Sequence, residues 1–108
     1  MTTYQPRLMD QRLEELLRSV PAVSVEGARA VGKTRTARAH GTTFIAVDDP
    51  DERAQLAAIG SRFTALHSPL VIDEWQRMPE LWDRVRRAVD DDSSPGRFLL
   101  TGSSTPSQ

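Results

Sequence analysis

The chain has 108 residues, 38% of them hydrophobic and 27% charged, with a formal net charge of −1. That length supports one hydrophobic core, and the near-neutral charge excludes a general electrostatic pull toward nucleic acid or anionic lipid. The absence of cysteine excludes disulfides, thiolate catalysis and cysteine-based zinc sites.

The N-terminal stretch MTTYQPRLMD carries no apolar leader, and no apolar run approaches the ~18 residues a membrane span requires. A soluble, cytoplasmic protein without membrane contact is the expectation. From Asp10 to Val20, Leu13, Leu16, Leu17 and Val20 recur at helical spacing until Pro21 stops the pattern. Ala22 to Val25 is a short strand ended by Glu26-Gly27, and Gly32 to Ala39 a helix ended by His40-Gly41. Thr43 to Val47 reads as a second strand. Asp49, Pro50 and Glu52 supply an N-cap, an N1 proline and a capping-box partner for a helix over 50–59. Pro69 to Asp73 is a third strand, apolar without alternation, as in a sheet covered on both faces. Pro79 opens a helix whose inner stripe is expected to hold Leu81, Trp82, Val85, Ala88 and Val89. After the polar loop DDDSSPG, Arg97 to Thr101 is the fourth strand. Strands alternating with helices predict an α/β fold with a parallel sheet.

Of the 14 lysines and arginines, Lys33 is the only lysine. It lies in Gly27-Ala28-Arg29-Ala30-Val31-Gly32-Lys33-Thr34, which matches the phosphate-binding loop G-x-x-x-x-G-K-[ST]. In such a loop glycines let backbone N–H groups approach phosphate oxygens at a helix N-terminus. A lysine on a flexible stem reaches the β- and γ-phosphates where a planar arginine does not fit. The threonine hydroxyl serves Mg²⁺.

Leu70-Val71-Ile72-Asp73-Glu74 is an apolar strand ending in two acids. Beside a phosphate loop, the first acid suits a magnesium ion and the second a general base for an attacking water. The fourth strand ends in hydroxyl residues that could set a polar group between water and the γ-phosphate, but on local sequence a strand followed by a Gly-Ser turn is favoured. His40 and His67 lack ligand-type spacing. Arg84, Arg86 and Arg87 alternate with Asp83 and Asp90 to Asp92, a pattern read as a solvated helix face. The chain has no asparagine, so the N-K-x-D guanine-reading motif is impossible and ATP is favoured.

VEGARAVGKT, PLVIDEWQRMPELWDRVRRAVD and RFLLTGSST together resemble the bacterial AAA-type ATPases that carry a C-terminal nuclease-like domain. The opening helix YQPRLMDQRLEELL is similar to that family's as well. The resemblance implies a P-loop NTPase fold, a three-layer α/β/α arrangement with a mostly parallel sheet. Its fourth strand would lie between the first and the third. Residues 1–21 would be a helical lead-in and 22–108 the ATPase core through strand four. The family's roles carry over as follows: Gly27 to Arg35 as the nucleotide cradle, Lys33 on the β- and γ-phosphates, and Thr34 and Asp73 on Mg²⁺. Glu74 would activate water, Thr101 or Ser103 would be the sensor, and Tyr4 and Arg7 would lie toward the base. Ala28 and Ala30 stand where the family often has proline and glutamine, and Arg35 where it often has a second hydroxyl. The chain stops after the fourth core strand, so it is expected to be a truncated ATPase core. The fifth strand, helical lid and arginine finger of relatives would follow, and any homo-oligomer would form through those parts.

Three functional readings are weighed, with weak ATP binding and little turnover expected of these 108 residues and ATP hydrolysis expected of the parent protein. One is an ATPase core, with Mg-ATP hydrolysed by in-line attack of water. Another is a nucleotide-binding module without turnover. The third is a remnant whose sheet is uncovered on one side and exposes apolar surface. Whether the partner is nucleic acid or protein is undetermined by sequence.

Overall fold

A computed structural model describes residues 6–27 and 33–103 of the chain. Among them run α1 (Pro6–Ser19), β1 (Ala22–Gly27), α2 (Lys33–His40), β2 (Thr43–Ala46), α3 (Pro50–Ile59), β3 (Leu70–Asp73), α4 (Glu80–Asp91) and β4 (Phe98–Ser103). Two short 3-10 segments, Gly60–Ala65 and Trp75–Arg77, precede β3 and α4. They are too short to leave a periodic signal in sequence. The four strands are all parallel, in the order β1-β4-β3-β2. This is the α/β sheet expected, with β4 between β1 and β3.

Alternation along the strands divides the core into two layers. Val23, Val71 and Leu99 face α1 and α2, where Leu13 and Ala37 close over them. Leu70, Ile72, Phe98 and Leu100 face the other way, against Leu56 of α3, Phe63, and Leu81 and Val85 of α4. β3 is buried along its whole length because both of its faces and both of its edges are covered.

Local chemistry fixes the ends of the elements. α1 begins at Pro6, four residues before the expected start, since proline in a first turn gives up no helical hydrogen bond. Asp49 caps α3 by accepting from the N–H groups of Asp51 at 2.8 Å and Glu52 at 3.4 Å. The reciprocal half of the expected capping box is not made. Glu52 instead accepts from the N–H of Ala46 at 2.9 Å, tying the helix to the end of β2. On α4, Leu81 and Val85 are buried, but Trp82 is 45% exposed, which corrects its expected place in the inner stripe. The helix lies over β3 and β4, so the side of the stripe occupied by Trp82 overhangs edge strand β1. There it rims an apolar groove of about 260 Å³ with Ala22, Ser24, Val89 and Leu100. Its ring packs on Trp75 at 4.9 Å. On the outer face Arg86 pairs with Asp83 at 3.2 Å in the solvated arrangement expected. No described helix is long and apolar enough to cross a membrane.

Arg97 locks the far end of α4. Its Nη1 donates to the carbonyls of Ala88 at 2.7 Å and Asp92 at 2.8 Å, and its Nη2 to Thr64 at 3.3 Å. The Asp92 carboxyl accepts from the Ser94 hydroxyl at 2.6 Å and its N–H at 3.0 Å, which holds it below the usual carboxylate range. Arg97→Ala should lower unfolding free energy by about 1.5–3 kcal/mol in urea titrations, the scale of hydrogen bonds to a charged donor. Arg97→Lys should recover only part of this, because an ammonium does not reproduce the guanidinium fork.

Candidate functional site at the carboxyl edge of the sheet

The strand register brings the sequence candidates to one end of the sheet. β1 pairs with β4 so that Gly27 stands opposite Ser103, and β3 pairs with β4 so that Asp73 stands opposite Thr101. On β4, Leu99 faces α1 and α2, and by the two-residue period Thr101 and Ser103 share that face. α2 starts at Lys33 on the same side of the sheet, with its Ala37 packed near Val71 and Leu99.

Of the predicted phosphate loop, Ala28, Arg29, Ala30, Val31 and Gly32 lie outside the described residues, as does Tyr4. For Arg7, Lys33 and Thr34 the description is of the backbone: Arg7 in the first turn of α1, Lys33 and Thr34 in the first turn of α2. The two ends of the loop are therefore placed, one at the carboxyl end of β1 and the other at the N-terminus of α2. Arg35 is exposed on α2, whereas Thr36 beside it is buried.

The two acids are both buried, each 6% exposed. A carboxylate withdrawn from water needs hydrogen-bond donors, and β4 supplies one to each. The Thr101 hydroxyl, fully buried, donates to Oδ1 of Asp73. The Ser103 hydroxyl donates to Oε2 of Glu74 at 2.8 Å. Thr101 and Ser103, both sensor candidates in sequence, bond different acids.

Glu74 reaches Ser103 because the chain turns sharply there. Its backbone is left-handed, with φ 57° and ψ 48°, the one described non-glycine residue with positive φ. This conformation costs about 1–2 kcal/mol for a residue with a Cβ. The turn is closed by bonds from the N–H of Arg77 to the Glu74 carbonyl at 3.1 Å and from Met78 to Trp75 at 2.9 Å. Below it, Met78 is buried in the α4-side core and Trp75 packs against that cluster. Gln76, to which neither composition nor spacing assigns a role, donates from Nε2 to Oε1 of Glu74 at 2.5 Å. The signal available in sequence was its place two residues after the second acid.

Among the described residues no three of His, Cys, Asp and Glu group together in a way that could hold a metal ion. At this edge stand two neighbouring buried acids, Asp73 and Glu74. Thr101→Val keeps shape but removes the Thr101 hydroxyl bond to Asp73. Urea unfolding should show a loss of about 1.5–3 kcal/mol, and Thr101→Ser should restore most of it.

A family model described as "AAA domain" matches residues 19–108. Among curated proteins, the chain is similar to an uncharacterized protein of Mycobacterium tuberculosis (strain H37Rv), at 36% identity over 100 residues. It matches an uncharacterized protein of Mycobacterium bovis to the same extent. Each alignment covers 88% of this chain and 22% of the relative, so the chain spans under a quarter of the length of those proteins. No solved structure matches it. With the parallel sheet, the strand order and the family match in agreement, the chain belongs to the AAA domain family.

Proposed function

We propose that this chain binds Mg-ATP in the loop from Gly27 to Arg35 and that Glu74 serves as the base for hydrolysis of the γ-phosphate. The observation that carries the reading is the pairing of two buried acids with two hydroxyls of β4, at the edge where β1 delivers Gly27. In this reading the loop N–H groups cradle the phosphates and Lys33 neutralises the β- and γ-oxygens. Glu74 accepts a proton from the attacking water, its carboxylate aimed by Ser103. Thr101 fixes the orientation of Asp73.

The donor set suits magnesium. Mg²⁺ keeps several waters and takes one or two protein oxygens together with substrate phosphates. A buried carboxylate at the edge to which β1 brings the loop, with no group of three ligands among the described residues, meets that demand. Thr34 and Asp73 would hold the ion, and it would offset charge on the phosphate oxygens. In a longer protein carrying this domain, the nucleotide cycle would move another domain or a bound partner.

Calorimetry on the chain and its Lys33→Ala variant tests the reading. Losing a charge-assisted contact of about 1.5–3 kcal/mol should weaken Mg-ATP binding roughly tenfold to a hundredfold. Equal affinity in the two proteins would place the nucleotide elsewhere.

A further inference from the structure

Gln76 has an odd hydrogen-bond inventory. Its Nε2 is committed to Glu74 at 2.5 Å, while its Oε1 is buried and has no partner among the described residues. The Nε1 of neighbouring Trp75 is also buried without one. Both atoms lie against Gly102 of β4. A Cβ built there would stand 2.9 Å from Gln76 Oε1 and 3.3 Å from Trp75 Nε1. Gly102 has no need of glycine's backbone freedom, since it sits in a regular strand without positive φ. The missing side chain there serves close approach: it leaves the space in which the Gln76 amide lies.

An orphaned amide carbonyl is a poor device for stability, because a buried acceptor without a partner costs more than an apolar group of the same shape. Gln76 gains one thing from its place, the bond to Glu74. That bond and the one from Ser103 engage different carboxylate oxygens from opposite sides of β4. Gln76 lies on the α4 face with Gly102, and Ser103 on the α2 face. Each donor restrains the carboxyl about its terminal torsion, which is broad and roughly two-fold. Two donors on two oxygens fix its plane. The left-handed backbone of Glu74 needs such support from its surroundings to persist.

We propose that Gln76 is a positioning residue for the Glu74 carboxylate, seated by the absent side chain of Gly102. The inference rests on the reading of Glu74 as the base that activates water. A base must be held within hydrogen-bond reach of its water, and small errors of placement are expensive in rate.

The test is steady-state Mg-ATP hydrolysis by the full chain. Nucleotide affinity by calorimetry and urea stability are measured on the same samples of wild type, Gln76→Leu, Gly102→Ala and the double variant. Gln76→Leu should lower kcat roughly tenfold to a hundredfold, the rate equivalent of one charge-assisted hydrogen bond. KM and Mg-ATP affinity should stay within about twofold, while the urea midpoint falls with the lost bond to a buried carboxylate, partly offset by removal of the orphaned carbonyl. Gly102→Ala should lower kcat in the same direction, and the double variant should be no slower than Gln76→Leu alone, as expected for two residues acting through one contact. Wild-type kcat in Gln76→Leu overturns the inference. So does a fall in kcat accompanied by a raised KM and weakened Mg-ATP binding, which would mark Gln76 as merely structural. A wild type that binds Mg-ATP without turnover overturns it too, leaving the binding reading intact. A wild type that binds no Mg-ATP overturns both.

Discussion

The arrangement at the carboxyl edge depends on β3 and β4 lying side by side in a register that sets Asp73 against Thr101. With that pairing, a hydroxyl from one strand meets a carboxylate from the other inside the protein, where neither could stand alone. A one-residue slip would turn Thr101 toward α4 and leave the buried Asp73 without it. The register is held by the apolar run before it. Leu70 and Ile72 meet Phe98 and Leu100 on one face, and Val71 meets Leu99 on the other. Hydrophobic burial along the strands thus places the polar pair at their ends.

The turn after β3 extends the same logic by one residue. A strand continuing straight would set Glu74 opposite Gly102 with its side chain on the α4 face, away from Ser103, but the left-handed backbone at Glu74 folds the chain into a 3-10 turn anchored by Trp75 and Met78. The second acid thereby reaches Ser103, two residues along β4 from the partner of the first. A cost of about 1–2 kcal/mol in backbone conformation is offset by core packing below the turn and by hydrogen bonds above it. The acids end up adjacent in sequence yet tied to different partners, so they can hold different roles. Gly102 stands between Thr101 and Ser103 and keeps the opposite face of β4 open to the Gln76 amide.

Much of this was legible in the chain. The alternation of strands and helices showed because apolar runs bounded by glycine and proline leave a signal within each segment. The Asp49 cap showed because its spacing to Pro50 and Glu52 is local. The acids were legible as a strand end. What failed to show depended on contacts between segments. Glu52 spends its carboxylate on Ala46 rather than on its own cap. Trp82 has helical spacing with Leu81 and Val85, but spacing says nothing of where the sheet beneath runs out. Thr101 and Ser103 could be separated only once β3 and β4 were in register, and Gln76 only once the turn at Glu74 was seen to close over Gly102.

The central claim, that the acids of this edge serve a magnesium-nucleotide complex, is tested most directly by thermal unfolding of wild type and Asp73→Asn. Each is melted with Mg-ATP, with ATP plus chelator, and without ligand. A ligand at about a hundredfold over its dissociation constant stabilises the native state by roughly 2.7 kcal/mol, several degrees in a domain of this size. The account predicts a rise in Tm for wild type with Mg-ATP, a smaller rise when magnesium is chelated, and no magnesium-dependent increment in Asp73→Asn. An equal increment in both proteins would contradict it, as would a wild type whose Tm does not respond to Mg-ATP at all.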